Sequence, residues 1–401
     1  MRILYIMASM NPGGAEIQNV RVAIELRKRG HKIRFLCPAG PGKMEGSLEF
    51  WVRKHAGLDD LVDVDPVQQL AAMTDYIERL QPDVVITNGW PWTLFASIAS
   101  ASASHKVGYK IPCVITWANT GYVSKMFYQD PNFVEVALDE ASQMVCNSIA
   151  VFDSLAQYPG GRSVPANIIY NGVRIPDLTI NMHLMSKEYF DLDPDWLNII
   201  YLANLRPEKN QQFAVRVMDL VRQLKIRARL YFVGNKFPYQ REVERDVDRL
   251  RLRDYVKFPG RIDDLDLIAG MDLMLNTSTT EGFANALQEG MAYGLPIIAS
   301  RVGGTKELEI MANYGTIPLI GHNQRLAQLP PDDRGFVRVF ESNDLTGAAE
   351  RIVQAYAIRD GFLIQGGKNN RRIASELFDL DKVVPGWEIM LSELTAPVKK
   401  A

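Results

Sequence analysis

In TEGFANALQEGMAYGLPIIAS, residues 280–300, Glu281 and Glu289 stand with seven residues between them, and Gly282 and Gly290 follow them. An ionised carboxylate accepts hydrogen bonds and donates none, so two at this spacing can hold a hydroxyl-rich ligand at two points. The preceding DLMLNTST reads as a strand, TTEGF as a turn and ANALQEGMAY as a helix stopped by Gly294. Glu281 therefore precedes the helix and Glu289 lies more than a turn inside it, an arrangement unlike a paired general acid and base. The backbone N–H groups of Phe283, Ala284 and Asn285 open the helix, where the dipole favours an anion, and Gly282 permits close approach. Taken alone, the spacing is common by chance and more often describes two exposed helix acids.

Cations stand at a second strand-to-helix turn. In LANLRPEKN, residues 202–210, Arg206 and Lys209 can neutralise a diphosphate, or can be ordinary solvated loop charges. In MNPGGAE, residues 10–16, Gly13 and Gly14 follow a strand and allow a phosphate or sugar to approach, or answer a need for positive φ. D-x-D pairs occur at Asp63/Asp65, Asp191/Asp193, Asp246/Asp248, Asp264/Asp266 and Asp379/Asp381; their scatter argues for acidic loops rather than one metal site. No His or Cys cluster has zinc spacing, so no metal ligands are assigned.

These turns need a scaffold of strands. RILYIMAS, KIRFLCPA, DVVITNGW, PCVITWA, QMVCNS and ANIIYNGV alternate with helical patterns up to residue 173. NIIYLANL, ARLYFVGN, YVKFPGR, DLMLNTST, LPIIAS and GFVRVF repeat the rhythm between residues 198 and 340. The alternation predicts two parallel sheets with crossover helices, and ligands in such sheets bind beyond the carboxyl ends of the strands. GVRIPDLTINMHLMSKEYFDLDPDW, residues 172–196, breaks the rhythm and is read as the hinge; after Phe340 the chain is mainly helical. The predicted domains are 1–175, 176–375 and a final helical segment, 376–401.

Composition bounds the rest. At 401 residues the chain exceeds the size at which one core stops growing. With 47% hydrophobic and 23% charged residues it falls among ordinary globular proteins, and a formal net charge of -2 gives no reason to expect nucleic acid. Cys37, Cys113 and Cys146 lie apart in apolar strands, as reduced buried thiols would. MRILYIMASM is followed at once by NPGGAE and reads as a strand rather than a secretion signal. No apolar run reaches bilayer length, so the expectation is a cytoplasmic protein, at most peripheral at the inner face of a membrane. The basic run RVAIELRKRGHKIR, residues 21–34, could touch lipid headgroups, although such runs usually face solvent.

STTEGFANALQEGMAYGLPIIAS with the RVGGTKEL that follows resembles the donor-binding motif of retaining glycosyltransferase family 4. MNPGGAE, LANLRPEKN, CNSIAVFDSLA and YNGV extend the resemblance, in order, over nearly the whole chain. It implies the GT-B fold, two Rossmann-like doubly wound α/β domains facing across a cleft, with the last helix, around Trp387, crossing back to the first. It also implies a metal-independent hexosyltransferase of polysaccharide or glycolipid assembly. The donor would be a nucleoside-diphosphate sugar, a UDP-sugar favoured, and the acceptor a glycan, a lipid-linked sugar or a small molecule. Carried onto this chain, the resemblance has Glu281 and the backbone of Phe283, Ala284 and Asn285 contact the transferred sugar, and Glu289 hold the ribose. Lys209, Arg206 and Glu281 would be catalytic, and Gly13, Gly14, Asn204 and Gly282 would line the donor site. Retention would follow from front-face substitution in which the leaving phosphate takes the acceptor proton.

Two departures qualify the match. Asn204 stands where the family usually has arginine, and Arg206 is expected to supply the missing guanidinium. Many relatives have a histidine after the strand PCVITWA; here Trp117, Ala118 and Asn119 occupy that stretch, and His31, His55, His105, His183 and His322 lie elsewhere. Asn119 or a carbonyl would take over the sugar-side contact, while Trp117 reads equally as core. The rivals are a GT-B epimerase or phosphorylase, and a sugar-nucleotide-binding protein with weak or no turnover.

Overall fold

The computed structural model describes residues 1–8, 13–39, 52, 56–60, 68–89, 91–118, 131–155, 157, 164–314 and 330–396. The chain divides into two compact units, Met1–Gly172 with Leu380–Ala401, and Val173–Asp379. The crossings lie a few residues from the expected boundaries because the two passing segments pair with each other: Val173 N–H donates to Phe378 O at 2.7 Å.

The first unit holds a seven-stranded sheet, one strand more than the sequence reading. Its strands are β1 (Arg2–Met7), β2 (Lys32–Cys37), β3 (Leu58–Asp60), β4 (Val84–Asn88), β5 (Cys113–Trp117), β6 (Gln143–Cys146) and β7 (Ala166–Ile168). They run parallel in the order β3-β2-β1-β4-β5-β6-β7. Helices cover both faces, so β4 and all of β1 after Arg2 are buried along their length rather than alternating. The edge strand β3 escaped notice because it spans three residues, two of them acids. Asp59 is held there by Arg34 at 3.0 Å and by the Tyr76 hydroxyl. The last helix, Leu380–Thr395, belongs to this unit, with Val384, Trp387 and Leu391 buried among Tyr5, Val20 and Phe35.

The second unit holds β8 (Leu197–Leu202), β9 (Ala228–Val233), β10 (Val256–Gly260), β11 (Leu273–Asn276), β12 (Ile297–Ser300) and β13 (Val337–Phe340). Their order is β10-β9-β8-β11-β12-β13, again all parallel. In each sheet the winding reverses once, between β1 and β4 and between β8 and β11. Loops leaving such neighbours diverge and open a crevice, the favoured ligand position of doubly wound sheets. The segment read as hinge carries a helix of its own, Ile180–Phe190, capped where the Thr179 hydroxyl accepts from Met182 N–H at 3.3 Å. Among the described residues no helix is long and apolar enough to cross a membrane.

Candidate active site

The loops leaving β8 and β11 bring Lys209 and Glu281 together. Lys209 Nζ lies 2.6 Å from Glu281 Oε1, with the side chains 25% and 10% exposed. Lys209 closes a short 3-10 turn, Pro207–Lys209, that ends at Asn210 in the left-handed region (φ 54°), where the helix Gln211–Gln223 begins. Two rows of bonds tie this turn to the loop carrying Glu281. Thr279 N–H donates to Glu208 O at 2.9 Å, and the Thr277 hydroxyl donates to Asn210 O at 2.9 Å. Beneath them the buried Tyr201 hydroxyl donates to Lys209 O and accepts from Thr277 N–H at 3.0 Å.

The loop after β12 presses on the other side of Glu281. Gly304 N–H donates to Gly282 O at 2.7 Å. Gly303 has φ 49°, and a Cβ there would stand 2.2 Å from Glu281 O, so RVGGT passes only as glycine. Phe283 is buried edge-on to Phe378, ring centres 5.6 Å apart. Ala284 leads in extended backbone, without a capping side chain, into the helix Asn285–Ala292. Glu289 is half-buried in the second turn of that helix. Gly290 lets the helix settle on the sheet, since a Cβ there would meet Met274 Sδ at 2.7 Å.

Asn204 and Arg206 serve other surfaces. Asn204 Oδ1 accepts from Asn235 N–H at 3.1 Å, and its carbonyl accepts from the buried Gln211 amide at 3.0 Å, stapling the loop after β8 to the loop after β9. Arg206 is exposed, with extended backbone as Pro207 requires, and its guanidinium stands 4.5 Å over the Phe237 ring. A depression lined by Arg206, Glu208, Phe237 and Tyr239 opens on that side, and neither Lys209 nor Glu281 lines it.

The family model described as Glycosyltransferase Family 4 matches residues 12–175, and that described as Glycosyl transferases group 1 matches residues 197–327. The chain belongs to glycosyltransferase family 4. An N-acetyl-alpha-D-glucosaminyl L-malate synthase of Bacillus anthracis is 25% identical over 94% of this chain and 93% of its own length. HepE of Anabaena, solved in complex with UDP, superposes with a TM-score of 0.73 at 21% identity over 98% of this chain and all of its own. Sucrose-phosphate synthase from Thermosynechococcus elongatus gives 0.76 at 17% identity over 99% of this chain and 100% of its own. These superpositions show the GT-B fold, and the family makes the chain an enzyme of the glycosyltransferase class.

In the first unit of this glycosyltransferase, Gly13 stands just before the helix Gly14–Lys28 with φ -125°, so positive φ is not the reason for glycine there. Trp117 is 6% exposed in a cluster with Leu94, Ile115 and Met144, which is the core reading; Asn119 lies outside the described residues. Part of the basic run is engaged by its own fold. Arg29 and His31 pair with Glu388 on the last helix, at 3.2 and 3.0 Å, and Lys28 pairs with Glu25. Several D-x-D acids are likewise engaged: Asp248 with Arg253, Asp264 with its own loop at Asp266 N–H, and Asp266 with the Tyr293 hydroxyl; Asp63/Asp65 lies outside the described residues. Sequence reasoning missed Tyr201 and Thr277. The available signal was a tyrosine near the end of the mostly aliphatic parallel strand LNIIYL, whose hydroxyl must find a partner once buried.

Proposed function

We propose that this glycosyltransferase binds a nucleoside-diphosphate sugar on its second unit and transfers the sugar with retention of configuration. The observation that carries the reading is the Lys209–Glu281 pair at the switch point of β8 and β11. An ammonium suited to a diphosphate there adjoins a carboxylate suited to sugar hydroxyls. As the anomeric carbon becomes cationic, charge grows on the departing phosphate, and Lys209 with the N-terminus of the helix Asn285–Ala292 would stabilise it. One preorganised donor of this kind is worth about a hundred- to a thousandfold in rate. Glu281 would orient the sugar, Glu289 would accept from the ribose, and the leaving phosphate would take the acceptor proton.

The relatives suggest which ligands to try. UDP is bound in the HepE structure, and the Bacillus anthracis relative is named for N-acetylglucosamine and L-malate, so UDP-N-acetylglucosamine with L-malate heads the panel. Glycan and glycolipid acceptors follow. The test is a thermal-shift screen of UDP-, GDP- and ADP-sugars, then nucleotide release with each acceptor. One UDP-sugar is expected to raise the melting temperature, since a ligand at a hundredfold its Kd adds about 2.7 kcal/mol. No shift with any sugar nucleotide would overturn the reading. We also propose that the diphosphate needs no metal, so turnover is expected to survive EDTA; loss restored by Mg²⁺ or Mn²⁺ would return a D-x-D pair to the site. Binding without turnover is the second reading, favoured by the commitment of Asn204 to Asn235. Saturable binding with no nucleotide release on any acceptor would select it.

A further inference from the structure

We propose that Tyr201 is the positioning residue of the Lys209–Glu281 pair, registering the loops of β8 and β11 through its single phenolic oxygen. This rests on the reading of the pair as the donor site. Tyr201 lies in β8, 1% exposed, its ring packed on Phe232 with centres 5.4 Å apart. Its hydroxyl donates to the carbonyl of Lys209, on one loop, and accepts from Thr277 N–H at 3.0 Å, on the other. The two roles use both the proton and a lone pair, which no other protein side chain of that size provides. Thr277 completes the joint by donating to Asn210 O at 2.9 Å.

Burial pushes the Tyr201 phenol up to about 12, so it remains a donor across the working range of an enzyme. Without the hydroxyl, Thr277 N–H loses its acceptor and Lys209 O keeps only the longer bond from the Thr277 hydroxyl, at 3.4 Å. The turn stays tied through Glu208 O and Asn210 O but loses the bond that fixes Lys209 between them, so Lys209 can shift against Glu281. A displacement of about 1 Å in a reacting group can cost on the order of a hundredfold in rate while leaving binding nearly intact.

The test compares Tyr201→Phe with Tyr231→Phe, since Tyr231 is equally buried and its hydroxyl bonds Asn198 at 3.4 Å, away from the site. With UDP-N-acetylglucosamine and L-malate, Tyr201→Phe should lower kcat roughly ten- to a hundredfold with donor KM within about threefold. Tyr231→Phe should leave kcat unchanged. In a Lys209→Ala background, Tyr201→Phe should add little further loss, because the group it places is gone. Equal kcat for the two phenylalanine variants, or a full further loss on top of Lys209→Ala, would overturn the proposal. If the wild-type chain turns over no sugar nucleotide, the functional reading fails separately, and a crystal structure of Tyr201→Phe decides. There the Nζ–Oε1 pair should be broken, and a pair kept at its present 2.6 Å would overturn the positioning role.

Discussion

Lys209 and Arg206 are three residues apart, yet the fold gives them unlike environments. Lys209 turns inward to a carboxylate, while Arg206 stays in solvent over Phe237. A guanidinium in that stack would have to leave its ring to reach a phosphate near Glu281. Lys209→Ala is therefore expected to lower turnover by roughly a hundredfold or more, as loss of a preorganised charge does. Arg206→Ala should cost only a few-fold, and steady-state kinetics of nucleotide release would check the order. If Arg206→Ala is as damaging as Lys209→Ala, the guanidinium swings in and the expectation drawn from the sequence stands. Asn204→Ala should act on stability instead, by about 1 kcal/mol, because it removes the acceptor for Asn235 N–H. The family resemblance selected Lys209 and Glu281, which were left open by residue type and spacing. Neither revealed that the Asn204 side chain is spent on a neighbouring loop, because that depends on the spacing of β8 and β9 rather than on either segment.

Three loops, after β8, β11 and β12, form the site as one piece, and the glycines of RVGGT are what let the third one close. Gly303 combines left-handed backbone with a Cβ direction blocked by Glu281 O. Gly303→Ala should push Glu281 off Lys209. The backbone conformation alone costs about 1–2 kcal/mol for a residue with a Cβ, and the clash adds to it. Lower melting temperature together with weakened donor binding in calorimetry is expected; a stable variant with unaltered affinity would remove the loop from the site. Strands of this kind were readable because parallel strands buried on both faces are predominantly apolar, as LNIIYL and ARLYFV are apart from Asn198 and Arg229. The helix Ile180–Phe190 was not, because Ile180, Leu184, Met185 and Tyr189 face outward while Ser186 is buried, which inverts the pattern that marks a packed helix.

At the scale of the whole chain, stability should respond to pH through the end of the second sheet opposite the site. Asp272 Oδ2 accepts from Asn198 N–H at 2.7 Å and from its side-chain amide at 3.1 Å, which favour the charged form. Burial works against that form and wins, so the Asp272 carboxyl is raised above its ordinary 3.8. A group raised on folding contributes stability that is fully present below its unfolded pKa and lost as pH rises through the folded one. Ionised Asp272 is thus a cost carried at neutral pH, and an amide would not carry it. Asp272→Asn keeps an oxygen to accept from Asn198, so the melting temperature of the variant minus that of wild type should become more positive between pH 4 and pH 7. Calorimetric scans across that window measure the difference directly, with the transition of the second unit followed by its response to the sugar nucleotide selected in the screen. A difference that stays constant would mean that Asp272 titrates alike in the folded and unfolded chain. One that falls as pH rises would mean that the two Asn198 bonds outweigh burial, and the carboxylate would then hold β8 and β11 together rather than strain them.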